Sequence, residues 1–184
     1  MQNIGEEITG EYLRVIKNCD FVQYNAHGNK KLDEIDVIGL NLKGKTVYIC
    51  EVAAHILGLL YPKGSTPDTK NRLIKKFSKD IAYADKHFAE YKKVFMFWSP
   101  IVKKSNEKAK YCAQRHVKEA ADYIKERYDI EIEVISNQNY ANCLQELREY
   151  ASKNSSDLKN SAVLRFLQIE EFLGKHLQRI NKLG

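Results

Sequence analysis

The chain has 184 residues, enough for one domain that buries a core without disulfide or metal staples. Its 30 Lys+Arg against 24 Asp+Glu, and a pI near 9.0, lean the surface toward a polyanionic partner. Four scattered cysteines with no C-x-x-C pair, and no run of the roughly 18 apolar residues a membrane span needs, exclude a zinc ribbon, a disulfide framework and a membrane-spanning protein. The acidic start Met1-Gln2-Asn3-Ile4-Gly5-Glu6-Glu7 is unlike a leader, so a soluble, unprocessed, cytoplasmic protein is expected.

From Asn3 to Cys19 the spacing of Ile8, Tyr12, Val15, Ile16 and Cys19 predicts a first helix. Asp20 to Asn25 reads as a short strand, Ala26 to Lys31 as a polar turn around Gly28, and two further strands follow, joined at Leu42-Lys43-Gly44-Lys45. Tyr61 to Asp68, dense in Pro, Gly and small polar residues, reads as a loop. Beyond it Leu73, Phe77, Ile81, Ala84 and Phe88 repeat at helical spacing. Lys93 to Trp98 is a buried strand whose aromatic residues belong to the core, Glu107 to Arg127 a long amphipathic helix, and Ile130 to Ile135 an alternating strand. Tyr140 to Leu183 is helical apart from a break at Asn154-Ser155-Ser156-Asp157. In its last segment Leu158, Ala162, Phe166, Ile169, Leu173, Leu177 and Ile180 form one stripe, which packs on the core or pairs with a second copy. The order α-β-β-β-α-β-α-β-α divides into an α/β core over 1–139 and a helical extension over 140–184.

Two strands carry a carboxylate into otherwise apolar runs: Asp36 beside Val37 and Ile38, and Glu51 between Cys50 and Val52. Near-continuous apolar strands are buried on both faces, where an ionised carboxylate is costly unless it is paired or binds a metal. The pair therefore asks for a cation. Glu6 has two readings. With Asn3 it makes a capping box, and it also shares an inward helix face with Thr9, Leu13 and Ile16.

Glu6, then Asp36, then Glu51-Val52-Ala53 after fourteen intervening residues, together with Gly5-Glu6-x-x-Thr9-x-x-Tyr12-Leu13, resemble the motif order of the PD-(D/E)XK, or restriction-endonuclease-like, nucleases. The resemblance covers about residues 4 to 100 and points to the small Mrr-type and Holliday-junction-resolvase-type branches. It implies an α-β-β-β-α-β core with a mixed sheet. It also implies Mg²⁺ or Mn²⁺ held by Asp36, Glu51 and the Val52 carbonyl, with Glu6 assisting, and hydrolysis of DNA phosphodiesters by a restriction, repair or resolvase-type endonuclease. A divalent ion would neutralise the phosphate and lower the pKa of a bound water, and Mg²⁺ takes one or two carboxylates for this.

The chain departs from the pattern at Ala53, where the family has lysine. Lys45 shares the face of Glu51 but lies about 20 Å away along an extended strand, and His55, about 13 Å away, would serve only if the chain bends after Ala54. The superfamily also supplies this lysine from the following helix, where Lys70 lies on the stripe of Leu73 and Phe77 and Lys76 borders it, so either could reach the metal, with Lys76 taken as the candidate; Lys70, Lys75 and Lys79 would contact DNA phosphates, and the ordinary reading of all four is a solvated basic face. No organic cofactor is implied. A small domain cutting both strands of a duplex favours a homodimer. The competing expectation is a nuclease fold that no longer cuts and serves as a DNA-binding or protein-interaction module.

Overall fold

Asn3 opens the first helix: its side chain accepts hydrogen bonds from Gly5 N (2.9 Å) and Glu6 N (3.1 Å), while Glu6 reaches back to Asn3 N (3.2 Å). In the computed structural model, which describes residues 3–27, 34–63, 66–105, 109, 111–154, 158 and 160–182, the chain then runs through twelve elements. These are α1 (Ile4–Val15), β1 (Phe21–His27), β2 (Glu34–Asn41), β3 (Thr46–Val52), β4 (Pro62–Lys63), β5 (Thr66–Pro67), α2 (Thr69–His87), β6 (Lys92–Ser99), α3 (Ala113–Tyr128), β7 (Ile132–Ser136), α4 (Gln138–Lys153) and α5 (Ala162–Ile180). Of the polar turn expected over Ala26 to Lys31, Ala26 and His27 instead continue β1, and the rest lies outside the described residues, as does Glu107.

Several boundaries differ from expectation for local reasons. The first helix ends at Val15 rather than Cys19, because Asn18 adopts a left-handed conformation (φ 53°) and Cys19 N bonds back to Leu13 O (3.0 Å). The stretch Tyr61 to Asp68 contains a two-residue hairpin, β4 with β5, instead of being wholly irregular. Tyr111 and Cys112 are not helical, so α3 begins at Ala113. The last strand begins two residues later than its alternating pattern predicts and ends one residue later.

Five strands form one mixed sheet in the order β1-β2-β3-β6-β7, with β1, β2 and β3 antiparallel to one another and β3, β6 and β7 parallel. Helices α2 and α3 cover one face, placing Leu73, Phe77, Ile81, Val117 and Ile124 over Ile38, Ile49, Phe95 and Phe97. Helices α1, α4 and α5 cover the other, with Leu13, Leu147 and Leu164 over Val37, Cys50, Met96 and Trp98. The four cysteines are buried and unbridged. Among the described residues no helix is long and apolar enough to cross a membrane.

The C-terminal stripe behaves differently from the first of its two expected roles. Val163, Leu164, Leu167 and Gln168 are the side of α5 that packs on the core, whereas Phe166, Ile169, Leu173, Leu177 and Ile180 remain exposed. Ala162, the first residue of α5, is exposed with that stripe, whereas Leu158 is buried and lies before the helix, which starts afresh at its own cap, Ser161, whose side chain accepts from Leu164 N (3.2 Å).

The start of α1 lies against the end of β3. A Cβ on Gly5 would come within 2.6 Å of Ala54 Cβ and 3.1 Å of Val52 Cγ1, neither of which is the free end of a flexible chain. Gly5→Ala is therefore expected to lower the unfolding free energy by about 1–3 kcal/mol in urea titration, despite the better helix propensity of alanine.

Candidate functional site

The antiparallel ladder between β2 and β3 runs from Asn41↔Thr46 to Val37↔Cys50 and goes no further. One residue beyond, Asp36 accepts a hydrogen bond from Val52 N at 2.7 Å, so a side chain takes over the bond that a backbone carbonyl would otherwise make. Across β1 the same level is disturbed. Asn25, at φ 50°, drops out of the register between Tyr24↔Val37 and Ala26↔Ile35. The sheet thus opens at the carboxyl end of β3, the end at which parallel strands present ligand-binding groups.

Into this opening α2 sends two side chains. Lys76 Nζ lies 3.3 Å from Asp36 Oδ2 and donates a close hydrogen bond to Glu51 Oε2. Asp80, one turn further along α2, is buried beside Glu51. Glu51 is 1% exposed and Asp80 3%, and Glu51 Oε1 and Asp80 Oδ2 have no hydrogen-bond partner. Tyr61 closes the edge, its ring packed under the guanidinium of Arg72 at 4.5 Å.

Three carboxylates meet at this point, Asp36, Glu51 and Asp80, with Lys76 between the strand pair and Lys79 near enough for its charge to act on Asp80. Burial, followed by the negative charge of Asp80, holds the Glu51 carboxyl well above its usual range, and Lys76 only partly offsets this. Burial likewise pushes Asp80 up to about 7. For Lys76, burial works against the charge, but Glu51 and Asp36 outweigh it and raise its pKa, so the amine is cationic at neutral pH.

The other expected site residues fall in different places. Ala53 is buried in the core on the face of Ile49 and Phe97, and its N–H bonds to Trp98 O (2.8 Å). The chain does bend after the strand, with His55 N bonded to Ala53 O (2.9 Å), but the His55 ring lies against Tyr61 at 5.3 Å instead of meeting the carboxylates. Glu6 sits near the same end of the sheet. Its hydrogen bonds go to the Asn3 backbone and side chain and to Asn25 Nδ2 (3.3 Å), which completes the capping box and ties α1 to β1. Lys70 turns to α3 and pairs with Glu119 (3.1 Å), whereas Lys75 is exposed on the outer side of α2 and Lys79 is half-buried on it.

The sequence reading did not single out Asp80, although the signal was present. Asp80 falls inside the Leu73, Phe77, Ile81, Ala84 stripe and four residues after Lys76, a carboxylate within an apolar face just as Asp36 and Glu51 are.

A divalent cation fits the donor chemistry. The carboxylates are hard oxygen ligands, Mg²⁺ requires only one or two of them, and Glu51 Oε1 is a buried oxygen without a partner. Among the described residues no three His, Cys, Asp or Glu side chains already enclose an ion position. Comparison with family models, with curated proteins and with solved structures finds no match to this chain. The fold and site define an α/β protein with a mixed five-stranded sheet and a buried carboxylate–lysine cluster at the sheet's open end.

The cluster fixes the pH dependence of stability. With Asp80 raised from 3.8 to about 7, the folded chain keeps a proton that the unfolded chain releases, so stability falls as pH rises through that window. The displaced Glu51 acts in the same direction. In metal-free buffer, Asp80→Asn is expected to flatten this fall and to raise the melting temperature at pH 8, by up to about 4 kcal/mol in free energy, with little change at pH 4. Thermal melts across pH 4–8 check it.

Proposed function

We propose that the chain is a metal-dependent DNA endonuclease with a restriction-endonuclease-like core, Asp36 and Glu51 holding Mg²⁺ or Mn²⁺ and Lys76 standing in for the lysine that Ala53 replaces. The observation that carries this reading is the crowding of carboxylates: Asp36, Glu51 and Asp80 gather around Lys76, and buried Glu51 and Asp80 each keep an oxygen that faces no donor. Such an arrangement costs stability unless a cation compensates it. The reach of Lys76 to both Asp36 and Glu51 supports the substitution of a helix lysine for the strand lysine.

The Val52 carbonyl, at the end of β3 where Asp36 already fixes the Val52 N–H, is the natural third oxygen. When bound, the ion would screen the phosphate charge and lower the pKa of a coordinated water. Asp36 and Glu51 hold the ion's side of the site. Lys76, kept cationic by its neighbours, favours negative charge developing at the attacking oxygen rather than removing a proton itself. Arg72, Lys75 and Lys79 lie toward the exposed side of α2, where phosphate contact would set the register of a duplex, while Lys70 would have to leave Glu119 to join them. The exposed stripe of α5 is the surface on which two copies would meet to cut both strands.

A second reading has its own support. Lys76 already supplies one cation to both strand carboxylates, and a nuclease fold retained for binding alone would need no more.

Plasmid and branched-DNA cleavage in Mg²⁺ and Mn²⁺ tests the proposal. The parent is expected to cut, with Asp36→Ala and Glu51→Ala inactive and Lys76→Met slowed by a factor of about 10²–10³. The metal ion is also expected to raise the parent's melting temperature, and Asp36→Ala to abolish the rise. Indifference to metal together with intact DNA binding would establish the binding module instead. Leu173→Asp with Leu177→Asp is expected to convert a dimer into a monomer in sedimentation velocity, without loss of the fold.

A further inference from the structure

After β3 the chain makes a turn whose tip is apolar. Gly58 N bonds to His55 O (3.1 Å), which puts Ile56 and Leu57 at the two central positions of a β-turn. Those positions ordinarily carry Gly, Pro, Asn, Asp or Ser. Here they carry two aliphatic side chains, 70% and 87% exposed, and Leu57 is the most exposed large hydrophobic residue among those described.

The turn is firmly mounted. Leu59 is buried, its N–H bonds to Ile101 O (3.0 Å), and its carbonyl accepts from the Tyr111 hydroxyl (2.6 Å), which lies 3.1 Å from Thr69 Oγ1. Tyr61 N donates to the same Thr69 oxygen (3.1 Å). Gly58 holds φ +106°, with the Lys103 stem laid along it: a Cβ there would lie 3.0 Å from Lys103 Cε. A side chain at position 58 would be strained by that backbone and would displace the lysine. The chain therefore keeps Ile56 and Leu57 in solvent on a fixed support, rather than letting them fold into the adjoining core.

The surroundings indicate what the tip meets. Neither 53–63 nor 100–105 contains an acidic residue, the Lys103 stem lies along Gly58, and Arg72 stacks on Tyr61, with Asp68 bonded through its N–H to the Tyr61 carbonyl (2.7 Å) as the nearest acidic residue on that side. One flank is the carboxylate cluster itself, since the His55 ring packs on Tyr61, whose hydroxyl feels the charges of Lys76, Glu51 and Asp36. Leu57 lies six residue steps beyond Glu51, at most about 22 Å of chain, which is inside the roughly 34 Å of one duplex turn. Proteins that deform DNA insert Leu, Ile, Met or Phe between base steps beside cationic phosphate contacts. We infer that Ile56 and Leu57 form a wedge that enters the DNA base stack next to the phosphate held at the carboxylate site, unstacking one step. This rests on the nuclease reading, and adds to it a local distortion of the duplex at the cut.

A wedge unwinds DNA whatever the sequence, so it can be measured before any recognition site is known. Closed plasmid is relaxed by a topoisomerase that needs no metal ion, with the protein bound in Ca²⁺, and the linking number of the product is read on a gel after the protein is removed. The parent is expected to lower the linking number. Ile56→Ser with Leu57→Ser, both at the exposed tip, is expected to abolish the shift and to slow plasmid cleavage by about tenfold or more, with an unchanged melting temperature. Leu57→Met retains both effects. Cleavage by the parent with a linking-number shift equal in the parent and the double serine variant overturns the wedge and leaves the nuclease intact. A parent that neither binds nor cuts duplex at low salt overturns both. Binding to phosphatidylserine vesicles that only the serine variant loses, with unwinding unaffected, assigns the tip to a lipid surface and also overturns the wedge.

Discussion

Glu51 is accommodated in the centre of a five-stranded sheet by two effects, the Lys76 ammonium that crosses from α2 to meet it and a carboxyl that burial holds well above its usual pKa range. The strand that carries it is flanked by β2 and β6 and covered on both faces, so water cannot solvate the charge. The ammonium reaches Glu51 and Asp36 together, and in doing so links the helix to two strands at the point where the ladder between them ends. Much of the local geometry answers to this contact. Asp36 turns to cap Val52 N, the β2–β3 pairing stops at Val37↔Cys50, and Asp80 comes to lie beside a carboxylate that one lysine does not fully neutralise.

The open end of the sheet gathers several constraints that would otherwise look unrelated. The left-handed Asn25 interrupts β1 at the level of Asp36 and presents its amide to Glu6, so the cap of α1 and the break in the ladder are joined. Gly5 lets α1 approach Val52 and Ala54 closely, and Ser99 at the end of β6 donates to the Ala53 carbonyl (3.0 Å). The backbone just after Glu51 is thus held from both faces and from the neighbouring strand. A rigid support of that kind suits groups that must keep their positions while facing an excess of like charge.

Ala53 shows how closely the core is filled on the side of the sheet that Glu51 faces. Its methyl group belongs to a packed region with Leu59, Phe97 and Val102, where a lysine stem would need room that the core has filled. Lys76 approaches the same carboxylates from the helix that covers this face. Its stem runs beside the apolar residues of α2 while its charge ends between Asp36 and Glu51.

The sequence by itself determined the layered α/β arrangement, because period-two and period-3.6 apolar patterns each commit a segment to one kind of element and to one buried face. It also marked Asp36 and Glu51, since a carboxylate flanked by branched apolar residues in a strand stands out within a few positions. It left Glu6 divided between two roles, and the hydrogen bonds to Asn3 and Asn25 engage it in the cap. The tertiary structure alone decided which lysine of α2 meets the strands: Lys70, Lys75, Lys76 and Lys79 differ by at most a few turns of helix, and only the docking angle of α2 selects Lys76 and sends Lys70 to Glu119. It likewise decided that Asp80 joins the cluster and that the long apolar stripe of α5 faces outward. Periodicity defines a helix's faces but not what lies opposite them, and that is settled only when residues dozens of positions apart compete for the same buried volume.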